Sequence, residues 1–465
     1  MKFLELVDSY KEDIIKSTQE IIRIKSVEEE AKPNMPFGEG PYRALEFALN
    51  LCEEMGFETK NFAGYAGHAD LGDGDESVGI LVHLDVVPEG DGWTYPPYGG
   101  EIHDDKIYGR GAVDDKGPAI ACIYAMKALK ESGVKLNRKI RIIFGTNEET
   151  GWGCMDYYFK REKAPTMAFT PDADFPVIHG EKGIIVFDLV KKISSKGCLG
   201  INIENIQGGN AANMVPDHCE AIITAEDPSM VEEKLNNFVE NTKYPLSLER
   251  ENGKIKIIAK GVSAHGSRPE KGENAISYLM AFLGKLMDGD CDICNFIKIY
   301  NDRIAFRHHG EDIGCGFEDD VSGKLNFNPG VIKLDDDGIK LTINVRYPIK
   351  SSAKEVYEGI RKNLEGTGIQ LVEGESDKKP LYIPKDNFLV EKLMKVYREQ
   401  TGDVESQPIT IGGGTYARAM ENAVAFGPVF PGQKEVAHQK DEFISIDHLM
   451  KITKIYAQAL YELAK

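Results

Sequence analysis

The spacing of apolar positions changes character twice along the chain. Residues 78–84 and 140–145 are unbroken apolar runs, each giving way to polar residues, as strands buried on both faces do. Between them Ala119, Ile120, Ile123, Met126 and Leu129 recur at helical spacing. Pro118 stands near the start and Gly133 at the close, so the segment predicts a helix. Strand, helix and strand in that order imply a βαβ unit, and hence a mostly parallel sheet with helices on both faces. From about Ile184 to Pro380 the texture differs. GIIVFDLV, EAIITA, KIKIIAKG, GVIKL and IKLTINVRYPI mostly alternate apolar and polar positions, with helical stretches at Pro228–Thr242 and 275–287 between them. Antiparallel strands covered by helices suggest a separate α+β domain. From Asn387 onward helix-like runs and the segment AVAFGPV return. The expected fold class is α/β: a catalytic domain built from residues 1–183 and 384–465, interrupted by an inserted α+β lid domain at 184–383.

Composition narrows the function without naming it. A chain of 465 residues is long enough for about two or three domains. The net charge of −19 argues against nucleic acid and anionic membrane surfaces, which need Lys and Arg patches. The start, MKFLELVDSYKEDIIKSTQEIIRI, mixes charged and apolar residues at a helical period and lacks the apolar core of a signal peptide. No stretch approaches the ~20 apolar residues of a membrane span. Eight scattered cysteines do not make a secreted disulfide framework, and Cys291 and Cys294 form a C-x-x-C pair without a second pair. These features together predict a cytoplasmic protein.

The chemistry-bearing residues follow the apolar runs. His83 and Asp85 stand in VGILVHLDVVP, Asp114 in YGRGAVDDKGP, Glu148 and Glu149 in IRIIFGTNEETGWG, Asp172 in FTPDADFP and His438 in KEVAHQKDE. Imidazole and carboxylate without thiolate is the ligand chemistry of a hydrolytic zinc or manganese site. Open α/β sheets place their sites just past the carboxyl ends of strands. Each segment also has a plainer account. His83 and Asp85 could be an exposed strand-end pair, Glu148 and Glu149 an acidic turn before a helix, and Asp114 or Asp115 a helix N-cap. His265 lies in KGVSAHGSRPEKGENAI, among small and donor groups suited to an oxyanion or carboxylate, although a lone loop histidine is commonly just exposed. The GGGT run at 412–415 lacks the Lys-Ser/Thr of a phosphate-binding loop and fits a small anion better than a nucleotide. His308 and His309 read as surface residues.

Taken in order, H-L-D-V-V-P, G-R-G-A-V-D-D-K-G-P, G-T-N-E-E-T, T-P-D-A-D-F-P, N-M-V-P, S-A-H-G-S-R-P and A-H-Q-K-D-E resemble the M20 metallopeptidase family over nearly the whole chain. The PDADFP…HGEKG segment and the wide insert are most similar to its dipeptidase V branch. The resemblance implies two divalent ions, zinc before manganese or cobalt, bridged by Asp114 and followed by a cis peptide. His83 and Asp172 would complete one ion's ligands, Glu149 and His438 the other's. It further implies that Glu148 is the general base, that Asp85 orients His83, and that His265 stabilises the tetrahedral intermediate. Asn213 and Arg346 would hold the substrate's terminal carboxylate, with Gly413, Gly414 and Thr415 lining that end. The implied activity is hydrolysis of small unblocked dipeptides. An N-acyl-amino-acid deacylase or desuccinylase, or a catalytically silent peptide- or metal-binding member, are the alternatives. Because the insert is long enough for two of the family's shorter lid domains, the expected site is complete within one chain, with hinges near Gly183 and Lys385.

Overall fold

The computed structural model describes residues 1–287 and 289–465. It divides into two compact units. The first comprises Met1–His179, Tyr382–Ile409 and Gly414–Lys465. The second comprises Gly180–Leu381 together with the short stretch Thr410–Gly413.

In the first unit the strands run Glu58–Phe62, Ala66–Leu71, Lys139–Gly145, Ser77–His83, Met167–Thr170 and Ala423–Ala425 across one sheet. Its middle is parallel: Ser77–His83 pairs in parallel with both Lys139–Gly145 and Met167–Thr170, and Ala423–Ala425 with Met167–Thr170. The first two strands add antiparallel, so the sheet is mixed, with a parallel centre. The helix Lys116–Ser132 connects two of the parallel neighbours, as the βαβ pattern predicted. All five of its periodic apolar residues are buried, and Gly133 ends it with φ 70°, a left-handed turn that glycine adopts at least cost. Helix Ile446–Ala464 packs against it, started by Ser445, whose hydroxyl accepts from the His448 amide. Such a cap stabilises a helix by about 1 kcal/mol.

The second unit is built on one antiparallel sheet. Its order is Leu246–Glu251, Lys254–Lys260, His218–Ala225, Ile201–Gly208, Asn326–Leu334, Ile339–Tyr347, Gly183–Lys191 and Gln370–Lys378. Two four-stranded halves meet where residues 206–208 pair with 332–334. Alternation along Gly183–Lys191 and Lys254–Lys260 puts every second residue into a core shared with the helices Pro228–Thr242, Ala275–Leu286 and Asp292–Arg303. Four of these elements were not anticipated: the strands Ile201–Gly208, Leu246–Glu251 and Gln370–Lys378 and the helix Asp292–Arg303. In Ile201–Gly208 a bulge between Ile203 and Asn205 breaks the period-two signal. The helix Asp292–Arg303 hides in the mixed run DICNFIKIYNDR. His308 and His309, read as surface residues, are instead half-buried, with His309 Nδ1 2.8 Å from the Leu325 carbonyl oxygen.

Candidate active site

Three of the chemistry-bearing segments leave the carboxyl ends of adjacent parallel strands. His83 ends Ser77–His83, Glu148 and Glu149 follow Lys139–Gly145 by a turn, and Asp172 lies just beyond Met167–Thr170. Hydrophobic burial fixes the strands, and strand polarity then delivers their polar successors to one edge. Asp114 arrives from the loop before Lys116–Ser132, and the Asp114–Asp115 peptide is cis. His438 arrives from the loop preceding Phe443–Ser445, with φ 60°.

Asp114 is the centre of this arrangement. Its Oδ1 lies 2.9 Å from His83 Nε2, and its Oδ2 lies 3.0 Å from His438 Nε2. Asp172 Oδ2 is 3.8 Å from His83 Nε2, and Glu149 Oε1 is 3.1 Å from His438 Nε2. His83, Asp114 and Asp172 thus converge as one donor set, and Asp114, Glu149 and His438 as a second. Nδ1 of His83 lies 3.0 Å from the backbone carbonyl of Asp85. A carbonyl only accepts, so Nδ1 carries a hydrogen, and Nε2 is the ring nitrogen that faces the carboxylates.

The electrostatics describe a cluster short of positive charge. Burial and then the Asp114 charge push Asp172 up to about 7. Burial and the Asp172 charge raise Glu148 well above the usual carboxylate range, and burial with Asp114 raises Glu149. Against the downward pull of burial, hydrogen bonds that His438 donates to Asp114 and Glu149 lift it to about 11. Asp114 itself, despite its burial, is held low by the two histidines. Five carboxylates (Asp85, Asp114, Glu148, Glu149 and Asp172) face two imidazoles; with the acids ionised and the imidazoles neutral, as metal ligation requires, the formal charge is −5, which two divalent ions would reduce to −1. The donor set fits two such ions: imidazole nitrogen and carboxylate oxygen only, in two groups of three that share one carboxylate.

Asp85 makes contacts beyond the expected one to His83. Its carboxylate is 3.6 Å from His83 Nδ1, whereas its two oxygens accept from the backbone amides of Glu148 and Glu149, each at 3.0 Å. His83 thus meets both the carbonyl and the carboxylate of residue 85, and that carboxylate also receives the amides of the turn carrying the two glutamates. Three further residues escaped sequence reasoning. Trp152 donates from Nε1 to Glu148 Oε1 at 3.0 Å. Glu442, fully buried, accepts through Oε1 from the amides of Gly111 and Val113 at 3.0 Å and of Asp114 at 3.3 Å, and its Oε2 is 2.8 Å from Arg110 Nη1. Their only signal is membership of segments already singled out: Trp152 in IRIIFGTNEETGWG, Glu442 in KEVAHQKDE and Arg110 in YGRGAVDDKGP.

Residues 79–462 match the sequence profile of peptidase family M20/M25/M40. The chain belongs to this family. Among relatives, this M20 peptidase is 42% identical over 463 residues to YtjP, a proposed dipeptidase of Bacillus subtilis, covering 98% of each chain. It is 38% identical over 465 residues to SH1171, a proposed dipeptidase of Staphylococcus haemolyticus, covering 99% of this chain and 98% of that one. Among solved structures, human carnosine dipeptidase 1 shares the fold with a TM-score of 0.58 at 17% identity, over 99% of this chain and 98% of that one.

Not every expected site residue of this M20 peptidase lies in the first unit. Gly414 and Thr415 do, and Thr415 Oγ1 accepts from the Ala417 amide. His265, Asn213, Arg346 and Gly413 belong to the second unit, Arg346 on the strand Ile339–Tyr347 and the others in loops. The Gly266 amide donates to the Asn213 carbonyl at 2.7 Å, and His265 Nδ1 lies 2.6 Å from Ser267 Oγ. A Cβ on Gly412 would meet that of Ser267 at 2.9 Å, and Arg346, almost wholly buried, donates from Nη1 to the Gly412 carbonyl at 3.0 Å. Among the described residues no helix is long and apolar enough to cross a membrane.

Proposed function

We propose that this M20 peptidase is a two-metal dipeptidase of the dipeptidase V type, which cleaves the peptide bond of unblocked dipeptides. The observation that carries the assignment is Asp114, whose two oxygens belong to separate donor sets. His83, Asp114 and Asp172 would hold one ion, and Asp114, Glu149 and His438 the other. Zinc is the proposed ion, although these donors also accept manganese and cobalt. When bound, the ions supply Lewis acidity that polarises the scissile carbonyl and acidifies the attacking water. Relatives such as YtjP and SH1171, proposed dipeptidases that match this chain end to end, support the substrate class.

Glu148 would act as the base. Trp152 engages its Oε1, leaving Oε2 to take the proton of water as the C–O bond forms. Burial raises the proton affinity of Glu148, so it would keep that proton until the C–N bond breaks and then pass it to the leaving amine. On this reading His265 is supplied by the second unit to face the developing oxyanion, a placement worth ~3 kcal/mol. Arg346 and Asn213 would hold the terminal carboxylate, Arg346 with the planar fork that suits it. Gly413, Gly414 and Thr415 would close that end and exclude longer peptides. The site would be complete in one chain, in a cytoplasmic enzyme whose units close about segments near Gly183 and Lys385.

The test is amine release from Ala-Ala beside N-acetyl-Ala, after metal removal and return of Zn²⁺, Mn²⁺ or Co²⁺. Metal-dependent cleavage of Ala-Ala alone supports the dipeptidase and names its working ion. Cleavage of the acylated substrate alone replaces the proposal with a deacylase, and cleavage of neither overturns the substrate assignment.

A further inference from the structure

We propose that the second unit carries a separate zinc site formed by the thiolates of Cys198, Cys291 and Cys294. Residues 291 and 294 form the C-x-x-C pair, and the fold brings the third sulfur from far away in sequence. All eight cysteines are free thiols, and these three lie with their sulfurs within 4.8 Å of one another. Cys198 closes the short strand Gly197–Cys198, which pairs with the start of Ile201–Gly208. Cys291 is the N-cap of Asp292–Arg303, and Cys294 lies in its first turn.

Several contacts hold the two segments together independently of the sulfurs. The Asp292 carboxylate accepts from the Ser194 amide at 3.0 Å and also from the Ser194 hydroxyl. The Ile293 amide donates to the Ser195 carbonyl at 3.4 Å. Gly289 lies directly beneath Cys198, and a Cβ there would run into the Cys198 sulfur. The three thiols border the hydrophobic core of the unit, with Cys294 buried and the other two half-buried.

This placement suits a thiophilic ion. Zinc–sulfur bonds of about 2.3 Å put tetrahedral thiolates about 3.8 Å apart, within the observed spread. Cys291 and Cys294 Sγ are now 2.7 Å apart and would open by about 1 Å on binding. The Cys294 amide donates to Cys291 Sγ at 3.3 Å, so that sulfur caps the N-terminus of Asp292–Arg303. Among the described residues no fourth His, Cys, Asp or Glu joins the group, which leaves one coordination position for solvent. Soft sulfur donors here and hard nitrogen and oxygen donors in the first unit give one chain two sites of opposite preference. The thiolate site would tie the 194–202 hairpin to Asp292–Arg303 rather than perform hydrolysis.

Cadmium is the probe, because thiolate-to-cadmium charge transfer in the ultraviolet reports sulfur ligation and the nitrogen and oxygen set is silent there. The full-length protein, prepared under reductant, is titrated with Cd²⁺, and zinc per chain is measured after reconstitution and desalting. The expected result is a charge-transfer band saturating at one ion per chain. Cys198→Ser and Cys291→Ser should each lose that band and one zinc per chain, with dipeptide hydrolysis within twofold of wild type. The wild-type titration stands even if a variant folds poorly. Absence of the band, or equal zinc in wild type and variants, overturns the proposal. So does a Cys291–Cys294 disulfide in the isolated protein, seen as two thiols that react only after reduction. Loss of hydrolysis with the band intact would instead count against the first unit's function.

Discussion

Asp85→Asn separates two accounts of one buried carboxylate. Asp85 is 1% exposed, and its oxygens accept from the amides of Glu148 and Glu149 at 3.0 Å each. Hydrogen bonds to a charged group are worth about 1.5–3 kcal/mol. Asparagine keeps one acceptor and turns an N–H₂ toward the other amide, so one bond is lost and two donors face each other. The expected cost is about 3 kcal/mol at the turn. The His83 ring keeps its partner, because that bond goes to the backbone carbonyl of residue 85, which the substitution leaves in place.

If the cost is expressed as displacement of Glu148, kcat falls roughly 100-fold, since 1.36 kcal/mol is a factor of ten. KM should stay within about threefold, as the groups proposed to bind substrate are untouched. The assay pairs dipeptide kinetics with anomalous diffraction at limiting metal, which reports occupancy ion by ion. The ion of Asp114, Glu149 and His438 should be depleted, and the ion of His83, Asp114 and Asp172 retained. An unchanged kcat, or depletion confined to the His83 ion, would refute the turn-holding role and restore Asp85 as the residue that orients His83.

Glu148→Gln should lower kcat by about 10²–10⁴-fold with both ions retained, and metal analysis showing their loss would make Glu148 a ligand instead of the base. Trp152→Phe removes the N–H that steadies the Glu148 carboxylate, so a group already raised by burial rises further. The acid limb of kcat/KM should therefore move to higher pH, and an unmoved limb would sink the contact's role. Glu442→Ala leaves Arg110, 2% exposed, without its carboxylate and frees three amides of the Asp114 loop. Denaturant unfolding should show a loss of about 3–5 kcal/mol; a loss under 1 kcal/mol would contradict it. Burial, followed by the nearby Arg141 charge, lowers His68 from 6.5 to about 4. The unfolded chain then takes up the proton first, so stability present above pH 6.5 is lost as pH falls toward 4, by up to about 3 kcal/mol. His68→Gln should flatten that part of the stability–pH curve, and an unchanged slope would remove His68 as its source.

What could be read from the sequence, and what could not, follows from how each group is held. The βαβ unit was legible because burial on both faces leaves a mostly apolar run, as in Ser77–His83 and in Lys139–Gly145, where Arg141 is the interior exception. Strand polarity then points to one edge, so a His or acid just past each strand can be found with no knowledge of distances. Asp114 was harder, since a helix cap and a bridging ligand present the same sequence, and only the geometry puts its two oxygens on different histidines.

The supporting residues were illegible for a further reason. Glu442 binds backbone amides of residues 111, 113 and 114, and Asp85 binds those of 148 and 149. Every residue but proline offers that amide, so no partner residue type marks the contact. The same holds for the His83 tautomer, which a backbone carbonyl sets. The thiol cluster shows the opposite limit: its residue type is conspicuous, but a pair four residues long becomes a trio only when the fold returns Cys198 to it. Sequence pattern therefore finds groups that must be of one chemical kind and that burial has already placed, whereas contacts to the uniform backbone, and encounters set by topology, need coordinates. In this peptidase the proposed ligands are of the first sort, and the residues that contact their loops are of the second.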